Sequence, residues 1–287
     1  MLYTQNHRNA ALFVILAGFM FACMGGLIKL LSKELSNEII VFFRNAFGLL
    51  VLLPVLYRQG LGHLKTDKLY FHFLRSLVGL TAMYTFFFGI RHIPLAESVL
   101  LSYTTPLFAP LIAYVWLKEK LTWPLVSIIL IGFVGVILII QPDFNHISWQ
   151  ALVALSSGFF AATAMTTIRR MSDTEPTTRI LFYYGVICTS ISAIPLIYVD
   201  VWPDLTQFGL LLLVGLLASI GQFSITRGYS MASVASVGPF MFSTVVFSTI
   251  IALVFWGEVP NFLSATGIIM VIATGSVVLS QGKKLNS

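Results

Sequence analysis

The sequence predicts an all-α membrane protein with ten transmembrane helices arranged as two inverted five-helix repeats. Three observations carry that prediction. Hydrophobic residues make up 57% of the chain and charged residues 10%, against roughly 25% charged in a soluble domain. Apolar stretches of about 20 residues recur along all 287 positions, the length that crosses a ~30 Å hydrocarbon layer at 1.5 Å per residue. The second half of the chain repeats the pattern of the first.

The spans fall at about 10–31, 37–57, 70–90, 95–117, 122–140, 148–168, 178–199, 206–228, 233–256 and 262–281. Short connections with turn-forming residues separate them, among them Arg58-Gln59-Gly60, Gln141-Pro142-Asp143, Asp173-Thr174-Glu175-Pro176 and Trp202-Pro203-Asp204. None is long enough to hold a soluble domain. The first stretch, Ala10 to Leu31, exceeds the apolar core of a cleaved leader and reads as a spanning helix. Cys23 and Cys188 both lie inside apolar segments and offer neither a disulfide framework nor metal-ligand spacing.

Orientation follows from Lys and Arg. With a cytoplasmic N-terminus, the outer side holds only Lys29, Lys33 and Arg91, and Arg44 lies within a span. The other cations, from Arg8 and Arg58 to Lys283 and Lys284, all fall on the inner side. The bias predicts an inner-membrane protein with both termini cytoplasmic and an even number of spans.

A shift of about 140 residues aligns the halves. Gly18-Phe19 meets Gly158-Phe159, Ala22 meets Ala162, Lys29 meets Arg169, and Arg44 meets Tyr184. A shift of 136 pairs Leu77-Val78-Gly79-Leu80 with Leu213-Val214-Gly215-Leu216, and a shift of 139 pairs Glu119 with Glu258. Chance likeness between Leu-rich segments does not explain ordered Gly, Lys/Arg and Glu matches. Five spans is an odd number, so the second unit is inverted relative to the first, the design of many secondary carriers. The boundaries are a cytoplasmic N-terminus at 1–9, a first repeat at 10–142, a second at 143–281 and a cytoplasmic tail at 282–287.

The stretch Gly-Ile-Arg-His-Ile-Pro-Leu-Ala-Glu-Ser-Val-Leu-Leu-Ser-Tyr-Thr-Thr-Pro from Gly89, continuing to Trp116-Leu-Lys-Glu-Lys-Leu, resembles the drug/metabolite transporter superfamily. So does Phe42-Phe43-Arg44-Asn45. The resemblance is to a carrier with two EamA-type units and covers nearly the whole chain. The second unit departs from the pattern, with Ser230-Met231-Ala232-Ser233 where the first has Pro94-Leu95-Ala96-Glu97. Carriers of this kind include S-adenosylmethionine and riboflavin permeases and amino-acid exporters, so the resemblance implies a mechanism and leaves the substrate open. It also implies a central cavity, with Ser156, Ser157, Thr163, Phe240 and Phe242 as further lining candidates.

The predicted substrate-binding set is Arg44, Tyr84, Glu97, Ser102, Tyr103, Gln222 and Phe240. A mid-membrane Arg costs about 2.5–3.5 kcal/mol, so Arg44 should face protein or a cavity. It reads either as an anchor for an anion, or as an interhelical tie to a carbonyl or to Glu97. Glu97 reads as a helix N-terminal acid, as a partner of Arg44, or as a proton-coupling carboxylate. Ser102, Tyr103, Thr104 and Thr105 form a polar cluster before Pro106, and Pro106, Pro110 and Pro239 predict bends. Arg75 and Arg179 lie near the inner face and read as snorkelling or lipid-phosphate ligands. Glu119 and Glu258 read as structural.

No phosphate-binding Gly-rich loop is present, which argues against ATP drive. The five His show no metal spacing and no intramembrane His–acid set suits hydrolysis. The expectation is a non-enzymatic, alternating-access transporter without cofactor or metal. Its substrate would be a small polar or amphipathic metabolite, such as an amino acid, an S-adenosylmethionine-like or another nucleotide-derived compound. Its partners would be that molecule, the lipid bilayer and a proton or counter-substrate, with no nucleic acid; the chain would be a monomer or homodimer. The alternative is a lipid-flipping or structural membrane subunit.

Overall fold

A computed structural model describes residues 7–59, 64–92, 101–141, 148–257 and 259–284. The described residues form ten principal helices and no strand: α1 (His7–Leu31), α2 (Asn37–Gln59), α3 (Leu69–His92), α4 (Thr105–Leu117), α5 (Trp123–Ile140), α6 (Trp149–Met171), α7 (Thr177–Ala193), α8 (Leu205–Met231), α9 (Ser243–Trp256) and α10 (Phe262–Lys284). A 3-10 segment, Ile194–Tyr198, prolongs α7. A short turn, Val234–Val237, and a 3-10 segment, Gly238–Phe242, precede α9.

Seven segments are long and apolar enough to cross a membrane, and Thr105–Leu117, Trp123–Ile139 and Phe262–Thr274 are shorter apolar helices. The span expected at 95–117 is helical over Thr105–Leu117, and part of it lies outside the described residues. The span expected at 233–256 is broken, because Pro239 cannot donate to the preceding turn and the chain tightens there into 3-10 geometry. Large apolar side chains such as Val115, Leu205, Val254 and Ile269 stand exposed around the perimeter. In water such a belt would drive association, whereas acyl chains solvate it. Exposed Tyr57, Trp123, Trp149, Tyr198 and Trp202 sit near helix ends, where amphipathic rings suit the headgroup region.

The helix ends carry local signals. Ser148 caps α6 by accepting from the Ala151 N–H. Asp204 and Gln207 form a capping box at the start of α8. Gln141 ends α5 at φ 47° and exchanges amide hydrogen bonds with Asn261 before α10.

Packing joins α1 to α8 and α3 to α6, α1 to α9 and α4 to α6, α2 to α7 and α8, and α5 to α10. We call the end at which α1 and α3 begin the near end, and the opposite one the far end. Small residues set the closest crossings, as expected where van der Waals contact replaces the hydrophobic effect. A Cβ on Gly18 of α1 would lie 2.7 Å from Ser243 Oγ and 2.9 Å from Thr244 Oγ1 of α9. A Cβ on Gly158 of α6 would overlap Thr104 Oγ1 and lie 3.0 Å from the Leu101 carbonyl oxygen, while Thr105 Oγ1 donates to the Gly158 carbonyl at 3.3 Å. Gly158→Leu is therefore expected to push α4 off α6 and to cost about 3 kcal/mol. Thermal unfolding in detergent checks this, and an unchanged midpoint would show that the crossing tolerates bulk.

Candidate functional site

Four helices send polar side chains to one buried point. Arg44 of α2 is 6% exposed. Its Nη1 donates to Asn45 Oδ1 at 2.9 Å and to the Tyr184 hydroxyl of α7 at 3.2 Å. The Tyr184 ring in turn carries the Arg75 guanidinium of α3, 4.1 Å from the ring centroid. Arg75 is 2% exposed and donates from Nη2 to Gln222 Oε1 of α8 at 3.1 Å. One phenol thus has a guanidinium at its hydroxyl and another over its face, a favourable cation–π arrangement.

No carboxylate bonds to Arg44 or Arg75 among the described residues. Arg75 Nε and Asn45 Nδ2 are buried without a partner. The expectation that Arg75 snorkels to the surface is corrected. Gly79, one turn further along α3, leaves the space its guanidinium occupies: a Cβ there would lie 2.5 Å from Arg75 Nη1.

One cavity borders this cluster, and a second lies toward one end of the molecule. A cleft of about 220 Å³ between α2, α7 and α8 has Arg44, Asn45, Tyr184 and Gln222 as its main polar lining, with apolar walls from Leu49, Leu52, Leu181 and Phe223. A larger cavity of about 550 Å³ lies at the far end between the start of α2, the end of α3 and the start of α6. It is lined by Asn37, Glu38, Tyr84, Thr85, His92 and Val153, among others. The Tyr84 hydroxyl is buried without a partner. Tyr84 also packs against the apolar cluster of Val41, Leu80, Phe87, Tyr184 and Cys188, which connects the two sites. Glu38 escaped the sequence reading because an acid in the first turn of a helix already satisfies the dipole.

The predicted set divides. Arg44 bonds Tyr184, Gln222 bonds Arg75 beside it, and Tyr84 packs against the apolar cluster that includes Tyr184. Tyr103 packs instead with Phe242, Val136, Val245 and Val271, toward α5, α9 and α10. Phe240 belongs to the cluster of Ala10, Val14, Ala109 and Ala162. The Ser102 carbonyl accepts from Thr105 Oγ1 at 2.9 Å. Ser156, Ser157 and Thr163, candidates by the family resemblance, donate to carbonyls of their own helix. Glu97 and Glu258 lie outside the described residues.

The near end holds two ionic clusters. Glu175, in the turn between α6 and α7, accepts from His72 Nε2 at 3.1 Å, Arg179 Nη1 at 3.0 Å and Thr66 Oγ1 at 3.0 Å. His72 stacks on Tyr183 at 4.4 Å, and Tyr183 donates to the Leu64 carbonyl. Burial alone would push the Glu175 carboxyl up; the bonds from His72, Arg179 and Thr66 outweigh it and hold the group below the usual carboxylate range. Glu119 pairs with Arg169 at 3.4 Å and accepts from the Val234 N–H, while Arg169 also donates to the Ser230 carbonyl. This clasp gathers the ends of α4, α6 and α8. At the far end Leu35, Ile39 and Phe47 pack with Leu211 and Phe43 meets Phe208 edge-on at 5.4 Å, beside a hydrogen bond from Gln207 Nε2 to Glu34 Oε2.

A family model described as the EamA-like transporter family matches residues 8–141 and 148–280. A pseudopaline exporter of Pseudomonas aeruginosa is 34% identical over 281 residues, covering 96% of this chain and 98% of its own length. An S-adenosylmethionine uptake transporter of Rickettsia conorii is 27% identical over 262 residues, with 89% and 87% covered. A riboflavin transporter of Vibrio cholerae is 23% identical over 275 residues, with 92% of each covered. A crystal structure at 18% identity superposes with a TM-score of 0.82 over 97% of this chain and 99% of that one, a likeness of fold.

Proposed function

The chain belongs to the EamA-like transporter family, and we propose that it moves a small polar or amphipathic metabolite across the inner membrane by alternating access. That it is a small-metabolite membrane transporter and not an enzyme follows from the family and its relatives. The proposed part is the architecture, ten spans in two opposed units at 10–142 and 143–281, with both termini cytoplasmic, and the site between the units.

One observation carries the reading. Arg44 hydrogen-bonds Tyr184, the residue 140 positions on that the sequence repeat assigns as its counterpart. Two equivalent residues can touch only near the axis that exchanges them, and a carrier's substrate binds on that axis, near the midplane. Other pairs support the same symmetry. Gly18 meets Ser243 and Thr244, as Gly158 meets Thr104 and Leu101. The near end gathers the start of α1 with the ends of α6 and α8, through Gly228 against Ala10 and Arg169 against Ser230, so α6 runs opposite to α1.

The two ends differ in closure. At the near end the Arg169–Glu119 clasp gathers α4, α6 and α8. At the far end a 550 Å³ cavity lies between the start of α2 and the end of α3, beside the contact of Val41 with Leu80 and Phe87. A cavity toward one end and an ionic clasp at the other, among the described residues, support alternating access. Binding in the far cavity would engage Tyr84 and Glu38 first, then the Arg44–Tyr184 pair. The relatives named as carriers of pseudopaline, S-adenosylmethionine and riboflavin fit a substrate of metabolite size.

A lipid-flipping role is the second reading, because Val55, Ile220 and Phe223 on the rim of the 220 Å³ cleft are exposed toward the bilayer. Reconstitution in liposomes separates the two. Saturable counterflow of an amino acid, a nucleoside or a cofactor is expected, with no acceleration of labelled-phospholipid exchange between leaflets. Lipid exchange without any metabolite counterflow would replace the carrier reading.

A further inference from the structure

Every polar group left open at the Arg44–Tyr184–Arg75 cluster is a donor. Arg44 and Arg75 supply two guanidiniums, 6% and 2% exposed, that meet the same tyrosine at 3.2 Å and 4.1 Å. Arg75 Nε and Asn45 Nδ2 are buried and unpartnered. Gln222 turns its oxygen to Arg75, which leaves its amide donors for the cleft it lines. Two cations away from water, with no carboxylate bonded to either among the described residues, form a site that lacks its anion.

We propose that Arg44, backed by the Arg75 charge behind Tyr184 and Gln222, holds a carboxylate of the transported metabolite, and that the apolar walls of the cleft Arg44 lines take its non-polar part. The proposal rests on the transporter reading and names its substrate class. An ionised carboxylate is an acceptor-only group whose two oxygens match the planar fork of arginine. The walls that continue from the cluster, Leu49, Leu52, Leu181 and Phe223, offer nothing to a second charge. The site therefore favours a monoanion joined to an apolar or aromatic body over a phosphate dianion.

The test uses matched pairs on the full-length protein in detergent. The probes are hexanoate with hexanamide, N-benzoylglycine with N-benzoylglycinamide, and hexyl phosphate. Both acids are expected to raise the unfolding temperature at concentrations at least tenfold below those at which their amides do, with hexyl phosphate weaker than hexanoate. Arg44→Gln and Arg75→Gln should each erase the advantage of acid over amide. Phenylglyoxal labelling of the wild type, read by mass spectrometry, is a second measurement that needs no variant. N-benzoylglycine should protect Arg44, which lines the cleft, and its amide should not.

Equal effects of acid and amide, with no selective protection, would sink the proposal. Stronger binding of hexyl phosphate would replace carboxylate by phosphate. Counterflow that does not distinguish acids from amides would sink the proposal while leaving the carrier reading intact; absence of all counterflow would remove the carrier reading itself.

Discussion

Glu175→Gln is expected to destabilise the folded protein by about 3–5 kcal/mol, the loss typical of breaking a buried ion pair from one side. Glu175 is 5% exposed and its two oxygens accept from His72, Arg179 and Thr66. Glutamine keeps the shape but places an amide N–H₂ where one oxygen stood. If that amide takes the Oε2 position, it faces both Arg179 and His72, so donor meets donor. If it takes the Oε1 position, it loses Thr66, whose hydroxyl also accepts from the Lys68 N–H. Either way the turn between α6 and α7 loosens from the start of α3.

The same group gives a pH signature. Its folded carboxyl titrates below the ordinary value of about 4.3. The stability it contributes is therefore fully present above that ordinary value, and is lost as the pH falls through the lower folded one. Between pH 7 and pH 5 Glu175 should add no slope, and below about pH 4 the wild type should lose stability faster than Glu175→Gln. Thermal unfolding in detergent from pH 7 to pH 3 checks both statements; parallel curves for the two proteins would show that Glu175 is not held below its ordinary range.

Arg75→Met is expected to have the opposite profile, with transport lost and stability kept. Removing one guanidinium from a buried charged contact weakens anion binding by about 2–4 kcal/mol, roughly 30- to 1000-fold. Counterflow should fall accordingly. Yet Arg75 is a buried cation bonded to no carboxylate among the described residues, and an apolar replacement removes its desolvation cost of several kcal/mol. Methionine spans much of the same length and packs on the Tyr184 ring through its sulfur. Gln222 loses a partner but lines a cleft where water can replace it. An unfolding temperature at or above that of the wild type, together with lost transport, is the expected result. A large drop in stability would instead make Arg75 a structural tie.

Much of this was legible in the chain. Apolar lengths and turn residues placed the helices, and the shift of 140 paired Gly18 with Gly158 and Arg44 with Tyr184 before any contact was visible. Arg75 was misread because a cation two turns into a helix matches the pattern of a snorkelling side chain. Only packing reveals that Gly79 makes room for it to turn inward. The Glu175–His72 pair joins residues 103 positions apart that look like loop and helix-end chemistry in sequence. Tyr103 enters the predicted set through its polar neighbours and Phe240 through the family resemblance, and an apolar helix has no polar stripe to say which way either faces. The 3-10 break before α9 was foreshadowed by Pro239, though not its length.

The contrast between the two ends has a consequence for how the protein lives in its membrane. Under the proposed repeat, His72 on Tyr183 beside Glu175 and Arg179 corresponds to Phe208 on Phe43 beside Leu35 and Ile39. Acyl chains are as apolar as leucine and phenylalanine, so lipid can stand in for the partners of the second group at little cost. Nothing in a bilayer core can stand in for the ions of the first. Of these two equivalent contacts the ionic one is then the firmer, and the looseness of the aromatic one follows the thickness and fluidity of the surrounding lipid.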